Sequence, residues 1–144
     1  MAVVCLGLGA SVATAVATEQ LTSFRIVENK AIPAALTGRP GDAARGLAVA
    51  ADRALGNCLA CHAMPVDQPS QGDVGPDLRG VGARLTEGEL RLRVVDPKIV
   101  DAQTAMPAYY RVDGLYRVRK DLQGKPILTA GQIEDVVAYL KTLK

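Results

Sequence analysis

The sequence predicts an all-α fold, because three stretches of the chain join a helix start signal to apolar residues at helical spacing. The first stretch follows Asp42, a residue type that commonly caps helix N-termini. The other two open with Thr86 and Thr129, and each threonine is followed three residues later by Glu or Gln. This is the capping-box pattern of a helix N-terminus. We therefore expect three or more helices in a domain that spans residues 42–144.

Residues 1–17 are predicted to be a signal peptide. They carry no charge, are rich in Ala, Val, Leu and Gly, and end in Ala15-Val16-Ala17, an A-x-A pattern typical of a signal-peptidase site. A membrane anchor is the alternative, but about 20 strongly apolar residues are needed to span a bilayer, and this run is short and diluted with Gly, Ser and Thr. Signal peptides begin with basic residues and this run has none, so we expect the leader to begin upstream of Met1. Cys5 would be removed with it.

Residues 18–41 are predicted to form an extended N-terminal strap. They show no sustained helical or strand period and contain turn-forming Pro and Gly residues. A mobile tail is the alternative, but a solvated tail does not need the apolar residues that this segment carries. We expect four of them to be exposed on the isolated chain and to mark an interface with a partner: Ile26, Ile32, Pro33 and Leu36.

The first helix is predicted to run from Asp42 to Gly56 and directly into the segment that begins at Cys58. Its apolar face is made mainly of small residues at helical spacing: Ala43, Leu47, Ala50, Ala51 and Ala54. Because Gly46 also lies in this helix, a second helix can pack against it at short distance. We expect that to be the last helix of the chain, with the crossing near Gly46 and Tyr139.

The segment Cys58-Leu59-Ala60-Cys61-His62 brings together rare residue types, and His62 is the single histidine of the chain. C-x-x-C-H is the attachment signature of c-type haem, in which two thiols bond to the porphyrin and the histidine binds iron. A zinc site needs four ligands, and no second Cys or His cluster supplies them. A redox dithiol of the thioredoxin kind needs a βαβ setting. We predict one haem, held by Cys58 and Cys61, with His62 on the iron.

The composition agrees with a haem-centred core. The 144 residues suffice for one domain, yet they include no Trp, one Phe and four Tyr. A haem would supply the large flat apolar group that the sequence lacks. The net charge is +2 and acidic and basic residues are mixed, so nothing indicates nucleic-acid binding.

Residues 63–84 are predicted to form a loop, because they are dense in Pro and Gly. A generic surface loop is one interpretation. An iron-bound histidine, however, usually donates its other ring N–H to a carbonyl, which fixes the ring. A turn that contains proline offers a rigid carbonyl, and Pro76 is the candidate acceptor for His62.

Two helices are predicted beyond this loop. The first opens at Thr86 and ends at Asp96-Pro97, with Leu90, Leu92, Val94 and Val95 as its apolar residues. Residues 98–128 lack clear regular structure. The last helix opens at Thr129 and carries an apolar stripe made of Ile133, Val136, Val137, Leu140 and Leu143.

The sixth iron ligand can be narrowed by elimination. A single histidine excludes bis-histidine ligation, and methionine is the usual partner in a cytochrome c. Met64 is two residues from His62, and two extended residues span about 7 Å at most, too short to pass round the porphyrin. Met106 is distant in sequence, lies in an irregular segment and precedes a proline. We predict Met106 as the ligand, with ordinary core packing as its alternative.

These motifs resemble those of the class I, mitochondrial-type cytochromes c over about residues 42–144. The shared features are CLACH, the GPDLRG loop, a loop methionine before proline, and a final helix that ends in VVAYLKTL. A narrower resemblance, to the SoxX family of monohaem cytochromes, covers most of the chain after the leader. It is carried by AIPAALTGRPGDAARG, GNCLACHAMP, GDVGPDLRGVGARL, AMPAYYRV and GKPILTAGQIEDVVAYLKTL.

The resemblance implies a class I cytochrome c fold, with helices around one covalently bound haem c whose iron is ligated by His62 and Met106. SoxX proteins are the small subunits of periplasmic SoxAX complexes, which couple thiosulfate oxidatively to a cysteine of the carrier protein SoxYZ. The implied partners are a SoxA-type haem subunit in a heterodimer and, transiently, a SoxYZ-type carrier and a downstream cytochrome. The catalytic residue of this L-cysteine S-thiosulfotransferase is expected on the SoxA-type chain, so we expect none here.

A free, soluble periplasmic electron shuttle of class I cytochrome c type is the alternative function. The strap argues for a subunit, because no haem pocket requires it. Residues 111–125 also argue for a subunit, because they carry five basic residues against two acidic ones. Neither nucleic-acid binding nor stable membrane insertion is expected for either function.

Overall fold

A computed structural model describes residues 21–144 of the chain. The predicted signal peptide, residues 1–17, lies outside the described residues. The described part contains four α-helices: α1 (Ala43–Ala51), α2 (Val81–Arg84), α3 (Glu87–Val95) and α4 (Ala130–Thr142). Three short 3₁₀ turns connect them, at Cys58–Ala60, Pro97–Ile99 and Lys120–Leu122. Over residues 21–144 the only extended pairing is one isolated antiparallel bridge, so the all-α prediction is confirmed. No helix there is long and apolar enough to cross a bilayer.

The predicted helix starts are present as hydrogen-bonded caps. The Asp42 carboxylate accepts from Arg45 N at 2.8 Å, which caps α1. The Thr86 hydroxyl accepts from Glu89 N at 3.3 Å, while the Glu89 carboxylate accepts from Thr86 N at 2.8 Å. Thr129 makes the equivalent reciprocal pair with Gln132, at 3.2 and 2.9 Å. Helices α3 and α4 therefore begin where the capping boxes predicted.

Helix α1 ends at Ala51, five residues before the predicted end, and does not run directly into the motif at Cys58. The Asp52 side chain accepts from Ala54 N at 2.7 Å, and the Asp52 carbonyl accepts from Asn57 N at 2.9 Å. These bonds offer the backbone a turn in place of the next helical turn. Asn57 then adopts a left-handed conformation with φ 48°, which redirects the chain into the 3₁₀ turn at Cys58.

Helix α2 lies inside residues 63–84, which were predicted to be loop throughout. It is a single turn held by tertiary contacts to the end of α4. Gly82 N donates to Leu143 O at 2.7 Å, and Lys141 Nζ donates to the carbonyls of Gly82 and Leu85 at 2.8 and 2.9 Å. A Cβ at Gly82 would overlap the Lys141 carbonyl. A turn that depends on such distant contacts has no periodic sequence signal.

Helices α1 and α4 cross at the glycine that the sequence indicated. A Cβ at Gly46 would overlap the Asp135 carbonyl and would lie 2.8 Å from Tyr139 Cβ. The Asp135 carboxylate accepts from Asp42 N at 2.7 Å and from Arg45 Nε at 2.9 Å. A close backbone approach and a hydrogen-bonded ion pair therefore hold the first and last helices together.

Residues 21–41, the described part of the strap, pack against the domain, and the exposure predicted for Ile32 and Leu36 is wrong. Ile32 is 1% exposed and Leu36 is 5% exposed, while Ile26 is half-buried and Pro33 is exposed. The strap packs on its own domain because its backbone finds partners there. Ile32 N donates to Gly88 O at 3.0 Å, and Leu36 N donates to the Glu134 carboxylate at 2.9 Å. Ile32 and Leu36 therefore belong to the core and offer no exposed apolar surface to a partner, whereas Pro33 is exposed as predicted.

Candidate haem site

A cavity of about 550 Å³ lies between the C-x-x-C-H segment, α2, α3 and residues 100–107. This volume lies within the range of about 300–1,000 Å³ that is typical of ligand and cofactor sites. The structure brings all five predicted site residues to its wall: Cys58, Cys61, His62, Pro76 and Met106. Most of the remaining wall is apolar and includes Val74, Leu78, Val81, Leu85, Leu90, Val94, Pro97, Val100, Leu128, Val136 and Leu140.

The His62 ring is held in one orientation. Its Nδ1 lies 2.7 Å from the Pro76 carbonyl oxygen, and since a carbonyl can only accept, Nδ1 carries the proton and donates. The other ring nitrogen, Nε2, is then the one with a free lone pair for a metal. Gly75 backs the ring so closely that a Cβ would overlap it, and Gly75 N donates to Cys61 O at 2.8 Å. The acceptor expected from the sequence is thus in place; its role toward iron stays a prediction.

Cys58 and Cys61 sit on the 3₁₀ turn that precedes His62. Cys61 N and His62 N both donate to the Cys58 carbonyl, at 3.1 and 2.9 Å, so the motif forms one compact turn. The two thiols are not joined in a disulfide. Burial raises the pKa of Cys58 to about 11, which keeps this thiol protonated near neutral pH, whereas Cys61 is exposed. Both sulfurs remain available for thioether bonds.

Met106 lines the cavity on a loop that is tied to α3 and its C-terminal end. Met106 N donates to Thr104 Oγ1 at 3.2 Å, and the Thr104 carbonyl accepts from Lys98 Nζ at 2.7 Å. The loop returns to the domain through Tyr109 N, which donates to Val94 O at 3.2 Å. Met64, in contrast, is 3% exposed and belongs to the hydrophobic core. This placement agrees with the argument that ruled out Met64 as a ligand, and ligation by Met106 stays a prediction.

Tyr109 is a cavity residue that the sequence reasoning missed. Its hydroxyl donates to the Gly56 carbonyl at 2.6 Å, across 53 residues of sequence, so no local pattern could have indicated it. Burial raises the pKa of Tyr109 well above its usual value. The hydroxyl therefore stays protonated and donates.

Two arginines in the cavity wall, Arg84 and Arg93, were also missed. Arg84 Nη1 donates to the Arg79 carbonyl at 2.9 Å, and Arg93 Nη1 donates to the Glu89 carbonyl at 3.0 Å. Neither is among the salt bridges formed within residues 21–144. Their remaining N–H groups suit carboxylates such as those at a porphyrin edge. Arginines are common on surfaces, so the sequence gave no reason to select these two.

The residues present fit haem. Two thiols, an imidazole with its Nδ1 proton already engaged, a methionine thioether and two guanidinium groups surround an apolar cavity of suitable size. The described part of the chain contains no group of three or more His, Cys, Asp or Glu residues that could hold a metal ion by themselves. The donor set is therefore that of a covalently attached porphyrin.

Comparisons with known proteins agree with this site. The family model described as cytochrome c matches residues 43–144. Cytochrome c2 from Rhodospirillum rubrum is 30% identical over 124 residues, which cover 70% of this chain and 84% of that protein. Among solved structures, one chain of SoxXA from P. pantotrophus is 43% identical, with a TM-score of 0.76, and the match covers 83% of this chain and 93% of that one.

Proposed function

The chain belongs to the cytochrome c family, and from this premise we propose that it is the electron-accepting monohaem subunit of a periplasmic SoxAX-type complex. The resemblance to SoxX that the sequence predicted is confirmed by the structural match to SoxXA. That match carries the proposal, because it spans 93% of the related chain at 43% identity.

Each site residue has a distinct part in this proposal. A haem c bound to Cys58 and Cys61 supplies an iron that accepts and releases one electron. His62 would bind the iron through Nε2, and the bond from its Nδ1–H to the Pro76 carbonyl fixes the imidazole plane and would strengthen the ligand. Met106 would provide the second side-chain ligand to the iron, and its thioether would raise the reduction potential. The apolar wall keeps water from the iron and favours the less charged, reduced state.

Thiosulfate chemistry is assigned to the partner subunit. The Cys and His residues between 18 and 144 are Cys58, Cys61 and His62, and all three are committed to the haem. We therefore place the catalytic residue of the L-cysteine S-thiosulfotransferase on the SoxA-type chain. This chain takes up the electrons that are released when thiosulfate is joined to a SoxYZ-type carrier, and it passes them to a downstream cytochrome.

The mouth of the haem cavity is the proposed contact with the SoxA-type subunit. Val74 is 74% exposed and Val100 is 40% exposed, and both also line the cavity. Exposed apolar side chains at one place usually mark an interaction site. With Ile32 and Leu36 buried in their own domain, this rim replaces the strap as the proposed interface. Contact here would also bring the two haems close together.

Co-expression with a SoxA-type subunit, followed by size exclusion, tests the proposal. We expect a stable heterodimer that Val74→Asp prevents while covalent haem is retained. Leu115→Asp is the matched control, because Leu115 is 42% exposed but lies outside the cavity wall. The similarity to cytochrome c2 favours the free shuttle as the second candidate. Elution as a monomer beside the partner, with thiosulfate-dependent reduction at the full rate, would establish the shuttle and refute the subunit.

A further inference from the structure

Tyr109 connects two walls of the haem cavity that are far apart in sequence. It lies three residues after Met106, and its hydroxyl donates to the Gly56 carbonyl at 2.6 Å. Gly56 is buried and stands two residues before Cys58. One hydrogen bond therefore joins the loop that carries the methionine to the segment that carries the first attachment cysteine.

Both ends of this connection are anchored. On the Tyr109 side, the backbone N–H donates to Val94 O at 3.2 Å and the carbonyl accepts from Leu128 N at 3.0 Å. On the other side, Gly56 N donates to Val49 O at 3.0 Å. The Tyr109 ring is 7% exposed, so it spans the gap as a buried, rigid unit. Loss of the hydroxyl would leave the Gly56 carbonyl without this partner in the interior.

We propose that Tyr109 is a positioning residue, whose hydrogen bond to Gly56 holds the Met106 loop closed over the iron. The inference rests on the proposed ligation by Met106. In this proposal, opening of the loop would break this bond together with the one that Met106 would make to iron. Without the Tyr109 hydroxyl, one interaction that opposes opening of the Met106 loop is absent. A single buried hydrogen bond typically changes such an equilibrium by about tenfold.

Imidazole binding to the ferric holoprotein measures this opening. An added ligand reaches the iron only in the open state, so its apparent dissociation constant falls as the open fraction rises. We expect Tyr109→Phe to bind imidazole about tenfold more tightly than the wild type. Before imidazole is added, this variant should keep the far-red thioether-to-iron band and the helical circular dichroism. Tyr110→Phe is the matched control. The Tyr110 hydroxyl accepts from Thr22 N at 3.0 Å and so points to the strap. We expect the Tyr110→Phe variant to bind imidazole with the affinity of the wild type.

The outcomes separate this inference from the proposed function. If the wild type lacks the far-red band, both ligation by Met106 and the proposed role of Tyr109 are refuted. If the wild type has the band and Tyr109→Phe binds imidazole with the same affinity as the wild type, only the proposed role of Tyr109 is refuted. An equal gain in affinity in both tyrosine variants would also refute it, because the effect would not be specific to the bond with Gly56. A Tyr109→Phe protein that fails to fold would refute it as well, because the proposed effect is confined to one loop.

Discussion

Arg91 and Glu134 form an ion pair in which each side chain is 2% exposed. Arg91 Nε and Nη2 donate to the two carboxylate oxygens, both at 2.8 Å. The same two residues hold the strap, because Arg91 Nη1 donates to Ile32 O at 2.7 Å and Glu134 accepts from Leu36 N at 2.9 Å. The pair thus satisfies the strap backbone where it crosses α3 and α4.

Arg91→Met is expected to destabilise the protein by about 3–5 kcal/mol, because it leaves the Glu134 charge buried without its partner. Urea unfolding followed by circular dichroism measures the loss. Proteolysis should also cut residues 21–41 sooner in this variant. Arg45→Met is the control, since that arginine is 67% exposed in its pair with Asp135 and should cost about 1 kcal/mol or less. Equal losses in the two variants would contradict a special role for the buried pair.

The pair of Asp135 with Arg45 predicts a dependence of stability on pH. Hydrogen bonds from Arg45 and then the Asp42 backbone hold the pKa of Asp135 below its usual value of 3.8. The charged form is therefore favoured in the folded state. Its stabilisation is complete above about pH 3.8 and is lost as the pH falls through the lower folded value.

Asp135→Asn should consequently be less stable than wild type near neutral pH, and the difference should shrink in acid. Unfolding free energies measured from neutral to acidic pH test this directly. Arg45→Gln removes the other member of the pair, so the unfolding free energy of this variant should change less with pH over the same acidic range. A difference between wild type and Asp135→Asn that stays constant down to the lowest pH would show that the carboxylate charge is not responsible.

Local signals predicted the helix starts, and distant contacts decided what the sequence missed. The boxes at Thr86 and Thr129 are each complete within four residues, so they could be recognised directly. The end of α1 could not, because Ala54 continues the helical spacing while the Asp52 side chain diverts the backbone. The burial of Ile32 depends on Arg91, 59 residues away, and no pattern within the strap contains that information.

The same distinction applies to the cavity. Cys58, Cys61 and His62 lie within five consecutive residues, and the Pro76 carbonyl could be anticipated from what an iron-bound imidazole needs. Tyr109 has no such chemical signature, since its contact with Gly56 arises only when residues 53 positions apart meet. A motif therefore indicates which atoms hold a cofactor, whereas the elements that close the site over it become visible only in the fold.

Gly75→Ala should disturb the His62 ligand directly. A Cβ at this position would overlap the imidazole ring, so the ring must rotate or move away from the Pro76 carbonyl. We expect an altered haem spectrum and a changed reduction potential with the helices intact. Gly131→Ala is the control, because the nearest atom to its Cβ would be Thr129 Oγ1 at 3.9 Å, an ordinary contact. Spectra that are unchanged in Gly75→Ala would contradict the close packing of this ring.

Met106→Ala should remove the weak far-red thioether charge-transfer band of the ferric protein and lower the reduction potential, because the proposed sixth ligand would be lost. Met64→Leu is the control and should change neither property much, since Met64 is a core residue at 3% exposure and leucine has a similar volume. Loss of the band in Met64→Leu with its retention in Met106→Ala would reverse the assignment of the two methionines.

A chain that cannot attach haem should be largely unfolded. The cavity of about 550 Å³ is walled by core residues from three helices, and without haem the apolar side chains of this wall would face water, which disfavours the folded state. Cys58→Ser with Cys61→Ser removes both thioethers and should abolish covalent haem, cooperative unfolding and most helical circular dichroism. Cys61→Ser alone keeps the thioether bond at Cys58, so this variant should retain part of the covalent haem and part of the helical circular dichroism, and should still unfold with some cooperativity. A double variant that lacks haem yet unfolds cooperatively, with the wild-type helical signal, would show that the protein core closes without the cofactor.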